Sequence, residues 1–133
     1  MTENAKKMKK IKAYYLQAGK PISPHVVEVK KDKLNEFYKL LECDAIDIVK
    51  RKIGFNNYYI VCDDEGLLKK SIPSAIKIPS LDIALVGNLL IFGSVDDEGD
   101  LIGLNEEQQK EIRLNILQCS FPKIKKMFVV AVE

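Results

Sequence analysis

Twice in this chain an apolar, strand-forming run ends in the same acidic turn: residues 57–66 read NYYIVCDDEG and residues 88–99 read NLLIFGSVDDEG. Tyr58, Tyr59, Ile60 and Val61 are aromatic or β-branched and suit a pleated, half-buried surface, and Leu89, Leu90, Ile91 and Phe92 do so less strictly. In each Asp-Asp-Glu-Gly the short carboxylates can accept from nearby backbone N–H groups, and the glycine can take a positive φ without a Cβ clash. Both are expected to be glycine-bulged hairpin turns that return the chain to one sheet, through Leu67-Leu68 and Leu101-Ile102. The two units are expected to be adjacent hairpins.

The acids of these turns, Asp63, Asp64 and Glu65 in the first, raise chelation of a hard cation, because Mg²⁺ and Ca²⁺ select oxygen ligands. Their spacing argues otherwise. Consecutive acids point in different directions, whereas a calcium loop alternates its ligands and closes on a distant glutamate. The reading assigns no metal and no cofactor.

A chain of 133 residues, 47% hydrophobic and 30% charged, fits one soluble domain able to bury a sizeable core without staples. Cys43, Cys62 and Cys119 are odd in number and widely spaced beside apolar residues, which suits buried free thiols in a reducing cytoplasm. The first residues carry charge but no long apolar run, and no segment approaches the ~20 apolar residues of a membrane span, so a cytoplasmic protein is expected. Residues 1–33 hold nine lysines against three acids, net +6, while the remainder holds twelve basic residues against sixteen acids, net −4. A flexible basic arm over residues 1–10 on a single domain over 11–133 follows, and its charge suits phosphate, a solubilising tail or an acidic protein face alike.

In chain order, alternation at Ile11, Ala13 and Tyr15 gives a first strand, and Val26, Val27 and Val29 after Pro24 a second, at a sheet edge. Leu34, Phe37, Tyr38 and Leu41 mark a helix with Asp32 as its cap. Residues 46–53 read as a third strand in which Asp47, Val49 and Arg51 share one face. Residues 68–79 form a proline-bounded connection in which Pro73 and Ser74 belong to a rigid loop suited to a binding surface, and Gly87-Asn88 interrupts an apolar run as a bulge or a close backbone approach. Asn105 and Gln108 suit a capping box for a second helix running to about Leu117, with Ile112, Ile116 and Cys119 inward and Phe121-Pro122 as its stop. Residues 127–132, MFVVAV, close the chain as a strand apolar enough for a sheet interior or a homodimer interface. The fold class is α+β: a mostly antiparallel, twisted sheet of five to seven strands with two main helices on one face.

CDDEGLLK at 62–69, PSA at 73–75, LVGN at 85–88 and DDEGDLIGLNEEQ at 96–108 resemble a family known only as a domain of unknown function, met in small proteins of phages, plasmids and other mobile elements of Firmicutes and their relatives. The resemblance spans roughly residues 11–117 and directs attention to Asp63, Asp64, Glu65, Gly66, Pro73, Gly87 and Asn88, without implying an activity.

His25 is the one histidine and reads as an exposed strand-end residue, and no nucleophile elbow, P-loop, dinucleotide fingerprint or zinc spacing occurs. Tyr14-Tyr15 and Tyr58-Tyr59 near Lys50, Arg51 and Lys52 raise base stacking, although a tyrosine pair on a strand sends one ring to the core. The resulting expectation is a non-catalytic binding protein of a mobile element, acting stoichiometrically on a host or defence component, either a protein surface or a small nucleotide signal. A nucleic-acid-associated accessory protein and a metal-dependent hydrolase are the alternatives. The candidate contacts are Asp63, Asp64, Glu65, Pro73, Ser74, Gly87, Asn88 and Arg51.

Overall fold

The apolar alternation of the central strands dictates two cores, one on each side of a single sheet. The computed structural model describes residues 10–30, 34–66 and 72–133. Its elements are β1 (Lys10–Leu16), β2 (His25–Lys30), α1 (Leu34–Leu41), β3 (Ile46–Ile53), β4 (Asn56–Asp63), β5 (Pro73–Lys77), β6 (Ile83–Val86), β7 (Leu89–Phe92), β8 (Ser94–Val95), β9 (Leu101–Ile102), α2 (Glu106–Leu114), β10 (Ile116–Phe121) and β11 (Ile124–Val132). Strands β2-β1-β7-β4-β3 form a five-stranded antiparallel sheet, β10-β11-β5-β6 a four-stranded sheet, and β8-β9 a short ribbon. Only the β5–β11 pairing is parallel among these strands, with Ala75 opposite Val130.

Successive residues of a strand point to opposite faces. Tyr14, Leu16, Tyr58, Ile60, Leu89 and Ile91 therefore meet Val130, Val132, Ala75 and Ile112 on one side of the five-stranded sheet. Ala13, Tyr15, Val61, Leu90 and Phe92 meet Phe37 and Leu41 on the other. Burial of side chains of this size is worth ~1.5–3 kcal/mol each. The α+β class and the mostly antiparallel pairing stand as expected. The arrangement of layers differs from the expected single sheet: the strands divide into two sheets, and the helices lie on opposite faces, α1 on one and α2 beside the four-stranded sheet on the other.

Strands β1, β2 and β3 and helix α1 fall where periodicity places them, with β2 at an edge. The Asn105–Gln108 capping box forms, each side chain bonding the other's backbone N–H. Helix α2 ends at Leu114 rather than near Leu117, and residues 116–121 become β10. Asn115, Ile116, Cys119, Ser120 and Phe121 are indifferent helix formers, and pairing with β11 decides their state. Residues 127–132 lie inside the four-stranded sheet with β10 and β5 on their two edges, so their apolar character is accounted for within one chain and supplies no motive for a homodimer. The basic arm up to residue 9, the Asp32 cap and the Leu67-Leu68 return lie outside the described residues.

Candidate functional site

The two acidic turns use the same local chemistry and occupy different places. Asp63 Oδ1 accepts from the Glu65 N–H at 2.9 Å and its carbonyl from the Gly66 N–H at 3.2 Å. Asp96 Oδ1 accepts from both Glu98 and Asp100 N–H groups at 2.9 Å, and its carbonyl from Gly99 at 3.0 Å. The first aspartate of each turn thus caps it, as its residue type demands. The glycines serve for different reasons: Gly99 sits at φ +86 in open space, whereas Gly66 keeps an ordinary φ and would drive a Cβ to 2.9 Å from Val86 Cγ2. Strands β4 and β7, which lead into the turns, are antiparallel neighbours, so the turns leave the sheet at opposite ends. The second closes the separate β8–β9 ribbon. The acid clusters are therefore not adjacent hairpins, and among the described residues no three His, Cys, Asp or Glu side chains converge as metal ligands do.

The first turn borders a cleft of about 400 Å³ between the edge strands of the two sheets. Strand β3 contributes Asp47, Val49 and Arg51, the face that alternation groups together, and β6 contributes Ala84, Leu85 and Val86 opposite. Cys62, Asp63 and Asp64 close one end. Among the described residues, three carboxylates and one guanidinium thus stand over an apolar wall. Arg51 Nη1 donates to the Lys50 carbonyl at 2.9 Å, and the Ile48 N–H donates to Asp47 Oδ1 at 2.9 Å. Of the sequence candidates, this cleft unites Arg51, Asp63 and Asp64. Asp47, not singled out by sequence reasoning, belongs with them, and its signal was the period-two face it shares with Arg51.

Cys62 lines the cleft and is 6% exposed. Burial, the Asp47 carboxylate, Asp63 and Asp64 raise its thiol while Arg51 lowers it, and the balance is a pKa pushed up to about 11. A thiol so placed stays protonated near neutrality and is a poor nucleophile. His25 heads β2, at the far edge of the sheet from β3 and three strand spacings from β4, roughly 14 Å, beyond reach of Cys62. The cysteines also depart in part from expectation: Cys43 and Cys62 are buried, while Cys119, in β10 opposite Met127, is half-exposed.

A second concavity of about 250 Å³ adjoins Asp63 and is lined by Ala18, Leu41, Glu42, Ile72, Gly87 and Asn88. Gly87, at φ +79, and Asn88 carry the chain from β6 in one sheet to β7 in the other. Asn88 Oδ1 accepts from the Ala18 N–H at 2.9 Å, while its Nδ2 donates to the Leu40 carbonyl at 2.9 Å and to Glu42 Oε2 at 3.3 Å. Asn88 therefore ties together the end of β1, the end of α1 and the sheet crossing. Glu65 is exposed at the first turn and lines neither concavity.

Pro73 and Ser74 correct the sequence reading. They open β5, held between β11 and β6 inside the four-stranded sheet, rather than a surface loop. Proline fits the first residue of a strand, where the missing N–H costs least. Ser74 is 0% exposed, and its hydroxyl has no hydrogen-bond partner among the described residues. The tyrosines are likewise internal: Tyr14, Tyr15 and Tyr58 are buried and Tyr59 is half-buried against the core.

Sequence reasoning also missed a polar clamp beneath the β3–β4 hairpin. Glu111 on α2 accepts from the Tyr58 hydroxyl at 2.5 Å, Asn56 Nδ2 at 2.8 Å and the Phe55 N–H at 2.9 Å. Burial raises the Tyr58 hydroxyl, and the bond and charge of Glu111 raise it further. The Glu111 carboxyl, pushed up by burial, is drawn further down by its bonds from Tyr58, Asn56 and Phe55. No pattern in the sequence joins residues so far apart.

Residues 11–116 match a family described as Domain of unknown function (DUF3846). The chain belongs to that family. The stretch shared with DUF3846 contains the whole cleft, Asn88 and the clamp, and stops at the first residue of β10. No curated protein and no solved structure matches the chain. No described helix is long and apolar enough to cross a membrane.

Proposed function

We propose that this DUF3846 chain is a non-catalytic binding protein, a cytoplasmic component of a phage or other mobile element that acts stoichiometrically on a host or defence protein. The observation that carries the reading is the β3–β6 cleft, where, among the described residues, Asp47, Asp63 and Asp64 outnumber Arg51 above an apolar wall. That charge balance disfavours the phosphates of a nucleotide signal and favours a basic, partly apolar protein segment, since like-charge juxtaposition is costly at an interface. The protonated Cys62 and the distant His25 leave the cleft without an activated nucleophile or a nearby imidazole base.

The test is native mass spectrometry of the purified chain before and after exposure to host extract, followed by titration of the captured species. The expected result is a protein adduct carrying a basic segment, with binding weakened by salt and by Asp47→Lys with Asp64→Lys. Charge reversal at Asp96 and Asp97, in the other acidic turn, leaves it unchanged. An adduct of nucleotide mass, or turnover of a substrate by the purified chain, refutes the reading.

A further inference from the structure

On the other side of Arg51 the charge balance inverts. Lys50 and Lys52 project from one face of β3, ~6.6 Å apart along the strand, and Asn57 lies opposite Lys52 on β4. Lys77, at the end of β5, pairs with Val132 of β11. The Glu133 N–H then bonds the Lys52 carbonyl at 2.9 Å, so the ends of the two sheets meet here. The result is an open concavity of about 540 Å³ lined by Lys50, Arg51, Lys52, Asn57, Lys77 and Glu133. Lys50, Lys52, Asn57 and Lys77 are exposed, and none of the three lysines has an ion-pair partner among the described residues.

We infer that this concavity is a contact site for the phosphate backbone of duplex nucleic acid, sharing Arg51 with the protein-binding cleft but otherwise lined by different residues. Among the described residues, four cations against one acidic side chain set the sign of the ligand. The lysines are point charges spread over two strands, which suits a row of phosphates better than a single phosphoryl group gripped by a fork. Single-stranded nucleic acid is bound by stacking bases on aromatic rings; among the described residues no aromatic side chain lines the concavity, Tyr59 opposite Lys50 is half-buried against the core, and Tyr14, Tyr15 and Tyr58 are buried. What remains is backbone contact, which carries no sequence information.

Each neutralised phosphate contributes a slope of about −0.9 to log K against log salt, so contact by the three lysines, with or without Arg51, predicts a slope of about −3 to −4. The experiment is fluorescence anisotropy of the full chain with a labelled duplex of roughly 20 base pairs, titrated between about 50 and 200 mM salt. Exposed strand lysines tolerate glutamine, and circular dichroism checks that the variants fold. Lys50→Gln with Lys52→Gln is expected to make the slope shallower by about 2, Lys77→Gln by about 1, and Glu133→Gln to tighten binding. Changing the base sequence has no effect. Neutralising Lys6, Lys7 and Lys9 separates the N-terminal arm. The proposal is overturned if no salt-dependent binding occurs, if the arm substitutions abolish binding while the strand lysines leave the slope unchanged, or if a single-stranded probe binds more tightly than the duplex. The protein-binding reading stands or falls on Asp47 and Asp64 instead, so either can fail alone.

Discussion

Glu111→Ala should loosen the β3–β4 hairpin from α2, and the cost can be worked from the three bonds the carboxylate accepts. The Phe55 N–H and the Asn56 amide are exposed and can turn to water, so their loss is cheap. Tyr58 is different: it is 0% exposed, and its hydroxyl is left without its acceptor. A buried donor stripped of its partner costs ~1–3 kcal/mol, and with the weaker exposed bonds the total comes to ~2 kcal/mol. For a domain of this size that is a fall in Tm of roughly 6–10 °C, read by calorimetry. Tyr58→Phe should cost less than Glu111→Ala, because it removes the donor instead of orphaning it, and the double variant should show a coupling of ~1 kcal/mol or more. The pH dependence has a fixed sign. The folded carboxyl titrates below its unfolded value, so its contribution is complete above the ordinary carboxylate range and is lost as the pH falls through the folded pKa. The difference in Tm between wild type and Glu111→Ala therefore stays constant near neutrality and narrows in acid. An unchanged Tm for Glu111→Ala, or additive single and double variants, would refute the clamp.

Asn88→Ala removes three bonds at the sheet crossing and should destabilise by ~1–3 kcal/mol in denaturant titration. Asn88→Asp should fare no better despite its shape, because a carboxylate would face the Leu40 carbonyl and Glu42. Ser74→Ala should leave Tm unchanged or raise it, by up to ~1 kcal/mol of stability, since it deletes a buried hydroxyl that has no partner among the described residues. Timed iodoacetamide labelling at neutral pH with peptide mapping should modify half-exposed Cys119 before Cys43 and Cys62, which are buried.

How far the residues announced this structure depended on whether their partners were near in sequence. The alternation in β3, the α1 periodicity, the Asn105–Gln108 box and the self-capping aspartates of both acidic turns are local, and each was legible. The end of α2 was not, because an apolar pattern that continues past Leu114 fits helix and strand alike until β11 arrives to pair with it. Nor was the division into two sheets: Gly87-Asn88 looked like an interruption within one strand, and only tertiary structure makes it a passage between layers. At the site, Arg51, Asp63 and Asp64 were found by charge and turn chemistry and do share a cleft. Pro73 and Ser74 were drawn to the surface by their residue types, whereas they are buried at the start of β5, with Pro73 paired to β6.

The position of β11 also sets an order of events during synthesis. It is made after every other described strand, yet it lies between β10 and β5, and its parallel register brings together Ala75 and Val130, 55 residues apart. Contacts of such separation close late, after the loop entropy between them has been met. Until then the face of the five-stranded sheet bearing Tyr58, Ile60 and Leu89 lacks the cover that Val130 and Val132 provide. A nascent chain that has completed its family-matched stretch at residue 116 but not yet β11 thus still presents an apolar face, and a chain released at that stage would depend on chaperones to stay in solution.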